Sequence, residues 1–219
     1  RDGIRRMYEE REDIFYYLTL YNENYPMPQM PEGAREGILK GMYRLKHSVI
    51  PAQNGKVNLF GSGPLMNEVL KAQKLLAEKY GVASDVWSVT SYKQLRRDGL
   101  EVERWNLLNP GTTPRVPYVQ EALKGEEGSV FVASSDFIKA IPVSIAKWVP
   151  GTMHTLGTDG FGRSDSRGAL RDFFEVDARY ITLAALSGLA RQGKVRVDLL
   201  QNAEKDLGIQ PDKKDPIIS

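Results

Sequence analysis

The stretch "VNLFGSGPLMNEVLKA", which runs from Val57 to Ala72, decides the fold class. Residues 57–60 form a short apolar run that is typical of a buried strand, and a glycine-rich turn follows. Pro64 suits the first position of a helix, where its missing N–H costs no hydrogen bond. Apolar residues then recur on one helical face, and Gly81 suits the end of that helix: Leu65, Val69, Ala72 and Leu76. The stretch therefore predicts a strand, a tight turn and a helix in succession.

Strands and helices continue to alternate along the chain. Apolar runs predict further strands at 85–89, 130–134 and 154–157. Apolar spacing predicts helices at 92–97, 137–148, 166–174, 177–191 and 197–207. Pro142 should kink or split the second of these, and the polar tail from Pro211 is expected to be mobile. Because this alternation produces parallel strands joined by right-handed crossovers, the sequence predicts an α/β fold.

A strand of different character is predicted at "ILKGMYRLK", residues 38–46. Its side chains alternate between two faces, with Leu39, Tyr43 and Leu45 on one and Lys40, Arg44 and Lys46 on the other. This pattern indicates a half-buried strand at a sheet edge, where the row of positive charges discourages pairing with another chain.

The first 20 residues predict a helix followed by a strand that belongs to another domain. The run "IFYYLTL", Ile14 to Leu20, is almost continuously apolar, which is typical of a strand buried on both faces. The segment "NENYPMPQMPEG", residues 22–33, then breaks regular structure with three prolines. We expect the end of a preceding domain here; the alternative is a frayed N-terminal element of a complete protein.

Composition excludes several classes of protein. Thirty basic against 28 acidic residues give a net charge of +2, which argues against a nucleic-acid-binding or membrane-surface protein. The absence of cysteine removes disulfides, thiolate metal sites and a cysteine nucleophile. No apolar run has membrane-spanning length. These features lead us to expect a cytoplasmic protein.

The loop "GTDGFGRS", Gly157 to Ser164, is close to a phosphate-binding loop. Arg163 stands where that motif has Lys, Asp159 and Asp165 place carboxylates where an anion would sit, and no later strand is predicted to hold magnesium. We therefore predict a structural turn. Positive φ angles at its glycines and a serine cap on the next helix would build it: Gly157, Gly160, Gly162, and Ser164 or Ser166. Arg163 and Asp165 are a candidate ion pair at or near a subunit contact.

Other motifs predict no site. Gly61 and Gly63 begin a dinucleotide fingerprint, but Met66 replaces its third glycine and no acidic residue ends the second strand. No G-x-S-x-G occurs, and His47 and His154 have no evident carboxylate partner. The remaining acidic cluster is predicted to lie on a solvated helix: Glu9, Glu10 and Glu12.

Several stretches together resemble a known family. They are "YNENYPMPQMPEGAREGILKGMYRL", "VNLFGSGPLMNEVLKA", "SDVWSVTSYKQLRRDGLEVERWN", "TPRVPY" and "LGTDGFGRSDSRGALRDFFEVDARY". In this order they resemble the C-terminal part of the homodimeric bacterial type of pyruvate dehydrogenase decarboxylating component. The loop "DGFGRSDSR" is also similar to one in transketolase and other thiamine-diphosphate enzymes. The resemblance covers almost the whole chain and weakens from Lys194.

The resemblance implies a fold and a domain division. The fold is that of the transketolase C-terminal domain, a mostly parallel five-stranded sheet with one antiparallel edge strand and helices on both faces. The edge strand would be "ILKGMYRLK". Residues 1–35 would end the preceding aminopyrimidine-binding domain and its linker, and residues 36–219 would form the transketolase-like C-terminal domain.

The resemblance also implies a function. The whole enzyme would be a homodimer that decarboxylates pyruvate from glycolysis with thiamine diphosphate and magnesium, and passes acetyl to a lipoyl group of the dihydrolipoyl acetyltransferase core. The family's cofactor motif is Gly-Asp-Gly with a later Asn. Here Thr158 precedes Asp159 and the next Asn is Asn202.

No catalytic, cofactor-binding or metal-binding residue is therefore carried over onto this chain. We expect the segment to support folding and dimer assembly and to bind no cofactor alone. The alternatives are a free-standing non-catalytic assembly or regulatory module, or a related thiamine-dependent enzyme with another substrate.

Overall fold

A computed structural model describes residues 1–21, 24–53 and 55–219, so Asn22 and Glu23 of the predicted linker lie outside the described residues. Its five strands form one sheet in the order β1-β3-β2-β4-β5. They are β1 (Met42–Lys46), β2 (Lys56–Gly61), β3 (Ala83–Val89), β4 (Val130–Ser134) and β5 (Thr152–Leu156). Strand β1 lies at the edge, antiparallel to β3, and all other pairs are parallel. The predicted mixed sheet is confirmed.

The helices follow the predicted alternation. They are α1 (Asp2–Ile4), α2 (Arg35–Lys40), α3 (Met66–Tyr80), α4 (Tyr92–Leu108), α5 (Tyr118–Ala122), α6 (Ala140–Val143), α7 (Arg167–Phe173), α8 (Ala178–Arg191) and α9 (Val197–Asp206). A π-helical turn, Arg5–Glu9, continues α1, and 3-10 turns occupy Gly63–Leu65 and Ala146–Trp148. Pro64 starts the helix as predicted, and Gly81 ends it with a φ of 61°. Pro142 lies in the short α6, after which a separate 3-10 turn follows, as expected for a split helix.

Both faces of the sheet are covered, because successive side chains on a strand point to opposite faces. Helices α3, α8 and α9 pack on one face around Val57, Leu59 and Val132. Helices α4 and α5, with the 3-10 turn at 146–148, pack on the other around Phe60 and Phe131. Helices on both faces are therefore confirmed.

The edge strand begins later than predicted. Residues Leu39 and Lys40 belong to α2, and Gly41, with a φ of 110°, ends that helix before β1 starts. The positive row is also different from the prediction, since the Arg44 guanidinium lies over the Trp87 ring, 4.5 Å from its centroid, instead of facing only solvent.

Helix α4 is much longer than the predicted 92–97. The Ser91 Oγ accepts a hydrogen bond from the Gln94 N–H at 3.1 Å and caps its first turn. The prediction ended the helix too early; Gly99, a residue type that disfavours helix interiors, lies within it. It is buried within α4, close to the Trp148 ring.

The prediction of a strand at Ile14–Leu20 is wrong for this chain. The run forms no strand, and Phe15, Tyr17 and Leu20 are 87%, 85% and 91% exposed. A strand buried on both faces needs neighbours on each side, and no described residue supplies them. The C-terminal tail, expected to be mobile, contacts the domain, since the Lys213 ammonium donates to the Tyr180 hydroxyl at 3.2 Å.

Candidate functional site

A cleft lies at the carboxyl ends of β2 and β3. Strand β2 has β3 on one side and β4 on the other, so the order of the parallel strands reverses there. Ligands of open α/β sheets bind at such switch points. The cleft has a volume of about 650 Å³, and chain segments after β2, β3 and β4 reach it through Ser62, Thr90 and Phe137.

The wall of this cleft includes residues that precede α2. Tyr21, Tyr25, Pro26, Met27 and Pro28 line it together with residues of the sheet edge. The Tyr21 and Tyr25 rings contact each other edge to face, with centroids 6.0 Å apart. Most of the lining is apolar or aromatic, and its polar part comes from serine and threonine hydroxyls, Asn67 and Lys93.

A smaller cleft of about 250 Å³ shares Tyr21 and Tyr25 and is polar. The Tyr21 hydroxyl donates to Asp136 Oδ2 at 3.3 Å. Burial raises the pKa of the Asp136 carboxyl, against the opposite effect of this hydrogen bond and of two arginines. Those guanidiniums, of Arg167 and Arg171, lie 5.5 and 5.9 Å from the Tyr25 ring centroid. Tyr21 and Tyr25 therefore contact this cleft through a hydrogen bond to a carboxylate and through two cation–π contacts.

The loop that resembles a phosphate-binding motif is held by the protein itself. The Lys139 N–H donates to Asp159 Oδ1 at 3.0 Å, and the Lys139 ammonium lies 3.8 Å from Asp159 Oδ2. The Thr158 N–H donates to the Phe137 carbonyl at 3.0 Å. The carboxylate at 159 is thus engaged inside the chain and faces a backbone donor.

The glycines of this loop differ from the prediction, and the predicted serine cap is confirmed. Of its glycines only Gly160 has a positive φ, 101°. Gly157 has no room for a side chain, because a Cβ would lie 2.6 Å from the Phe137 carbonyl oxygen. The next helix, α7, is capped by Ser166, whose Oγ accepts from the Ala169 N–H at 3.4 Å, and not by Ser164.

Arg163 and Asp165 do not pair within the chain. The Arg163 guanidinium lies over the Phe173 ring, 5.1 Å from its centroid, and Asp165 Oδ1 accepts from the Ser166 N–H at 2.6 Å. No ion pair between these two side chains is found within the described ranges. Whether they meet another subunit stays a prediction.

The two histidines lie far apart in the fold. His47 is exposed, and its Nδ1 is 4.0 Å from Asp85 Oδ2, so a carboxylate partner exists that sequence reasoning missed. His154 lies on β5, where burial and then the positive Arg191 lower the pKa of its imidazole. In the part of the chain that is described, no group of three histidine, aspartate or glutamate side chains could hold a metal ion.

The acidic cluster predicted on a solvated helix at the N-terminus is exposed, but the helical turn ends at Glu9, before Glu10 and Glu12. Glu10 pairs with Arg5, and Glu12 pairs with Arg6 at 2.5 Å. These side chains are largely exposed, so the pairs contribute little to stability.

A buried charge network on the sheet escaped sequence analysis. The Glu126 carboxylate accepts from the Lys56 ammonium at 2.6 Å and from Asn58 Nδ2 at 3.0 Å, and Asn58 Oδ1 accepts from the Trp87 indole at 2.8 Å. Asp85 lies 2.9 Å from the same ammonium. Burial lowers the pKa of Lys56, but these hydrogen bonds outweigh it and raise that pKa overall. The sequence does carry a signal for this network, namely polar residues at 56, 58 and 85 within otherwise apolar strands.

Comparison with known proteins gives a family. The model described as the transketolase-like TK C-terminal domain matches residues 41–177. The chain is 50% identical over 218 residues to the pyruvate dehydrogenase E1 component of Pseudomonas aeruginosa, covering 99% of this chain and 24% of that protein. It is 48% identical over 220 residues to the E1 component of Escherichia coli K12, covering 100% of this chain and 24% of that protein. The chain therefore spans about a quarter of the length of these curated relatives.

A more distant likeness concerns the fold alone. A transketolase mutant from Pichia stipitis, solved in complex with xylulose 5-phosphate, matches with a TM-score of 0.50 and 16% identity, over 77% of this chain and 21% of that one. The search for membrane spans in the described segments found no helix long and apolar enough to cross a bilayer. The sheet with its antiparallel edge and the match over residues 41–177 agree, and the chain belongs to the transketolase-like C-terminal domain family.

Proposed function

We propose that this chain is the C-terminal domain of a thiamine-diphosphate-dependent pyruvate dehydrogenase that decarboxylates pyruvate and passes acetyl to a lipoyl group. The observation that carries the proposal is the 50% identity to an E1 component, which extends over 99% of the chain. A likeness of fold alone would not distinguish substrates, because one fold hosts many activities. Homodimerisation, the acetyltransferase core as partner and a cytoplasmic location belong to the same proposal.

Within that enzyme the chain would support assembly and not the chemistry. The described residues do not fit a diphosphate and its magnesium, since Asp159, the nearest equivalent of the motif's aspartate, is engaged by Lys139. Magnesium needs carboxylate and polar oxygen ligands in a fixed octahedral arrangement. We derive no reaction step through the cofactor here, and assign the chemistry to parts of the enzyme outside these residues.

The proposed domain division has structural support. Regular packing begins at α2, whose first residue is Arg35, and the apolar run at 14–20 lies exposed before it. A large exposed apolar surface indicates a contact with other protein. We propose that residues 1–35 end the preceding domain and its linker, and that residues 36–219 form the C-terminal domain.

A chimera tests the proposed function. The matching quarter of the Pseudomonas aeruginosa E1 component is replaced by this chain, and thiamine-dependent release of carbon dioxide from pyruvate is measured. We expect activity within about tenfold of the parent. That margin corresponds to about 1.4 kcal/mol of transition-state stabilisation. A chimera that is folded and of native oligomeric state, yet inactive, would contradict the proposal.

The isolated chain supplies the complementary measurement. Isothermal titration with thiamine diphosphate and magnesium should detect no binding to it. Micromolar binding would show that a complete cofactor site lies within this chain and would overturn its assignment as a supporting domain.

A further inference from the structure

We propose that the 650 Å³ cleft at the carboxyl ends of β2 and β3 binds a small organic anion with an apolar body. This inference goes beyond the proposed function and does not depend on it, because it concerns a cleft that needs no thiamine cofactor. The volume lies within the range of about 300–1,000 Å³ that small-molecule sites occupy.

The lining fits an apolar body. Met66, Leu45 and Ile141 contribute aliphatic or thioether surface, and four tyrosine rings contribute aromatic surface: Tyr21, Tyr25, Tyr43 and Tyr92. Aromatic rings bury large areas and accept stacking or edge contacts from a planar ligand. Methionine adapts its shape to irregular ligands, which suits Met66, 92% buried beside the opening turn of α3.

The sign of the ligand's charge follows from Lys93. Among the described residues that line the cleft it has the only charged side chain, and the lining contains no described carboxylate. No described residue forms a hydrogen bond or an ion pair with its ammonium group. A carboxylate or sulfonate on the ligand would therefore meet a positive charge that no described carboxylate of the lining opposes, whereas a cation would be repelled.

The test uses 1-anilinonaphthalene-8-sulfonate as the anionic probe and N-phenyl-1-naphthylamine as its neutral counterpart. Binding to the full chain is followed by amide chemical shifts in two-dimensional NMR. We expect saturable shifts at Ser62, Thr90 and Lys93, with one probe molecule per chain. Shifts confined to the exposed residues 15–20, or no saturable shift at the cleft, would overturn the proposal.

Two variants with matched controls locate the site and its charge preference. Lys93→Gln should weaken the anionic probe roughly three- to fivefold, as expected for an exposed charge pair, and leave the neutral probe unchanged. Lys74→Gln, on α3 outside the lining, should change neither. Equal effects of Lys93→Gln on both probes would refute the inferred role of charge.

The second variant fills the cleft. Asn67 is half-buried in the first turn of α3 and lines the cleft, so Asn67→Trp should abolish the shifts produced by both probes. Asn202→Trp, the same change at an exposed position of α9, should leave them intact. A native-like spectrum of Asn67→Trp with undiminished probe binding would overturn the assignment of the site.

Discussion

Replacing Glu126 by Ala should destabilise the domain through its buried charge network. The residue is 5% exposed and accepts hydrogen bonds from the Lys56 ammonium and from Asn58 Nδ2. Arg44 lies 3.2 Å from the same carboxylate. The substitution leaves the fully buried Asn58 amide without its acceptor. It also removes one of the two carboxylates that lie near Lys56 and Arg44.

The expected loss of stability depends on how far each partner of Glu126 can find another interaction after the substitution. Asn58 is fully buried, so its orphaned amide donor costs about 1–3 kcal/mol. The Lys56 and Arg44 side chains are 30% and 27% exposed, and both keep Asp85 at 2.9 and 3.4 Å. Solvent and Asp85 therefore offset much of the 3–5 kcal/mol that a broken buried pair costs, and we expect a total of about 2–4 kcal/mol.

The assay is urea unfolding followed by far-ultraviolet circular dichroism. With a slope of about 2–3 kcal/mol per molar urea, the midpoint should fall by roughly 1 M. The control is Glu127→Ala, the adjacent glutamate, which is exposed and accepts only from a local backbone N–H. If the two variants unfold at the same urea concentration, the network does not stabilise the fold as we have reasoned.

Two further predictions test packing and ionisation. Gly99→Ala should lower the free energy of unfolding by up to about 2 kcal/mol, since its Cβ would lie 2.5 Å from the Trp148 ring. Gly168→Ala, with open space around it, should raise that free energy by about 0.5–1 kcal/mol. The lowered pKa of buried His154 means that the unfolded chain binds its proton more readily, so stability should fall from pH 7 to 5. Urea midpoints at both pH values should show a shallower fall in His154→Gln than in the unaltered chain.

Sequence patterns predicted correctly those elements of the fold that are determined by residues close together in the chain. The strand at 130–134 matches β4 to the residue, because an apolar run between turns specifies a buried strand wherever neighbours exist. Pro64 and Gly81 fix a helix start and end by their backbone chemistry alone. The antiparallel position of β1, in contrast, came from resemblance, since alternation indicates an edge but no direction.

The missed features all depend on contacts between distant residues. Glu126 meets Lys56 and Asn58 across 70 and 68 positions of sequence, and no local pattern links them. The candidate cleft was also not predicted, because its lining combines residues 25–28 with the ends of separate strands. A positive φ at Gly157 was wrongly expected, as only the approach of the Phe137 carbonyl reveals why glycine is needed there.

The run Ile14–Leu20 has the apolar pattern of a buried strand, but it forms no strand in this chain. Apolar periodicity reports a preference for burial, and the preference can be satisfied only by neighbours that the rest of the protein supplies. The described domain offers β1 and β5 as edges, but β1 carries Lys46 and the bulge beside Arg44, which disfavour addition of a strand. Among the described residues, the exposed run pairs with neither edge strand. In the proposed enzyme it would join the sheet of the preceding domain, and the residues at 21 and 25–28 would connect that sheet to the cleft.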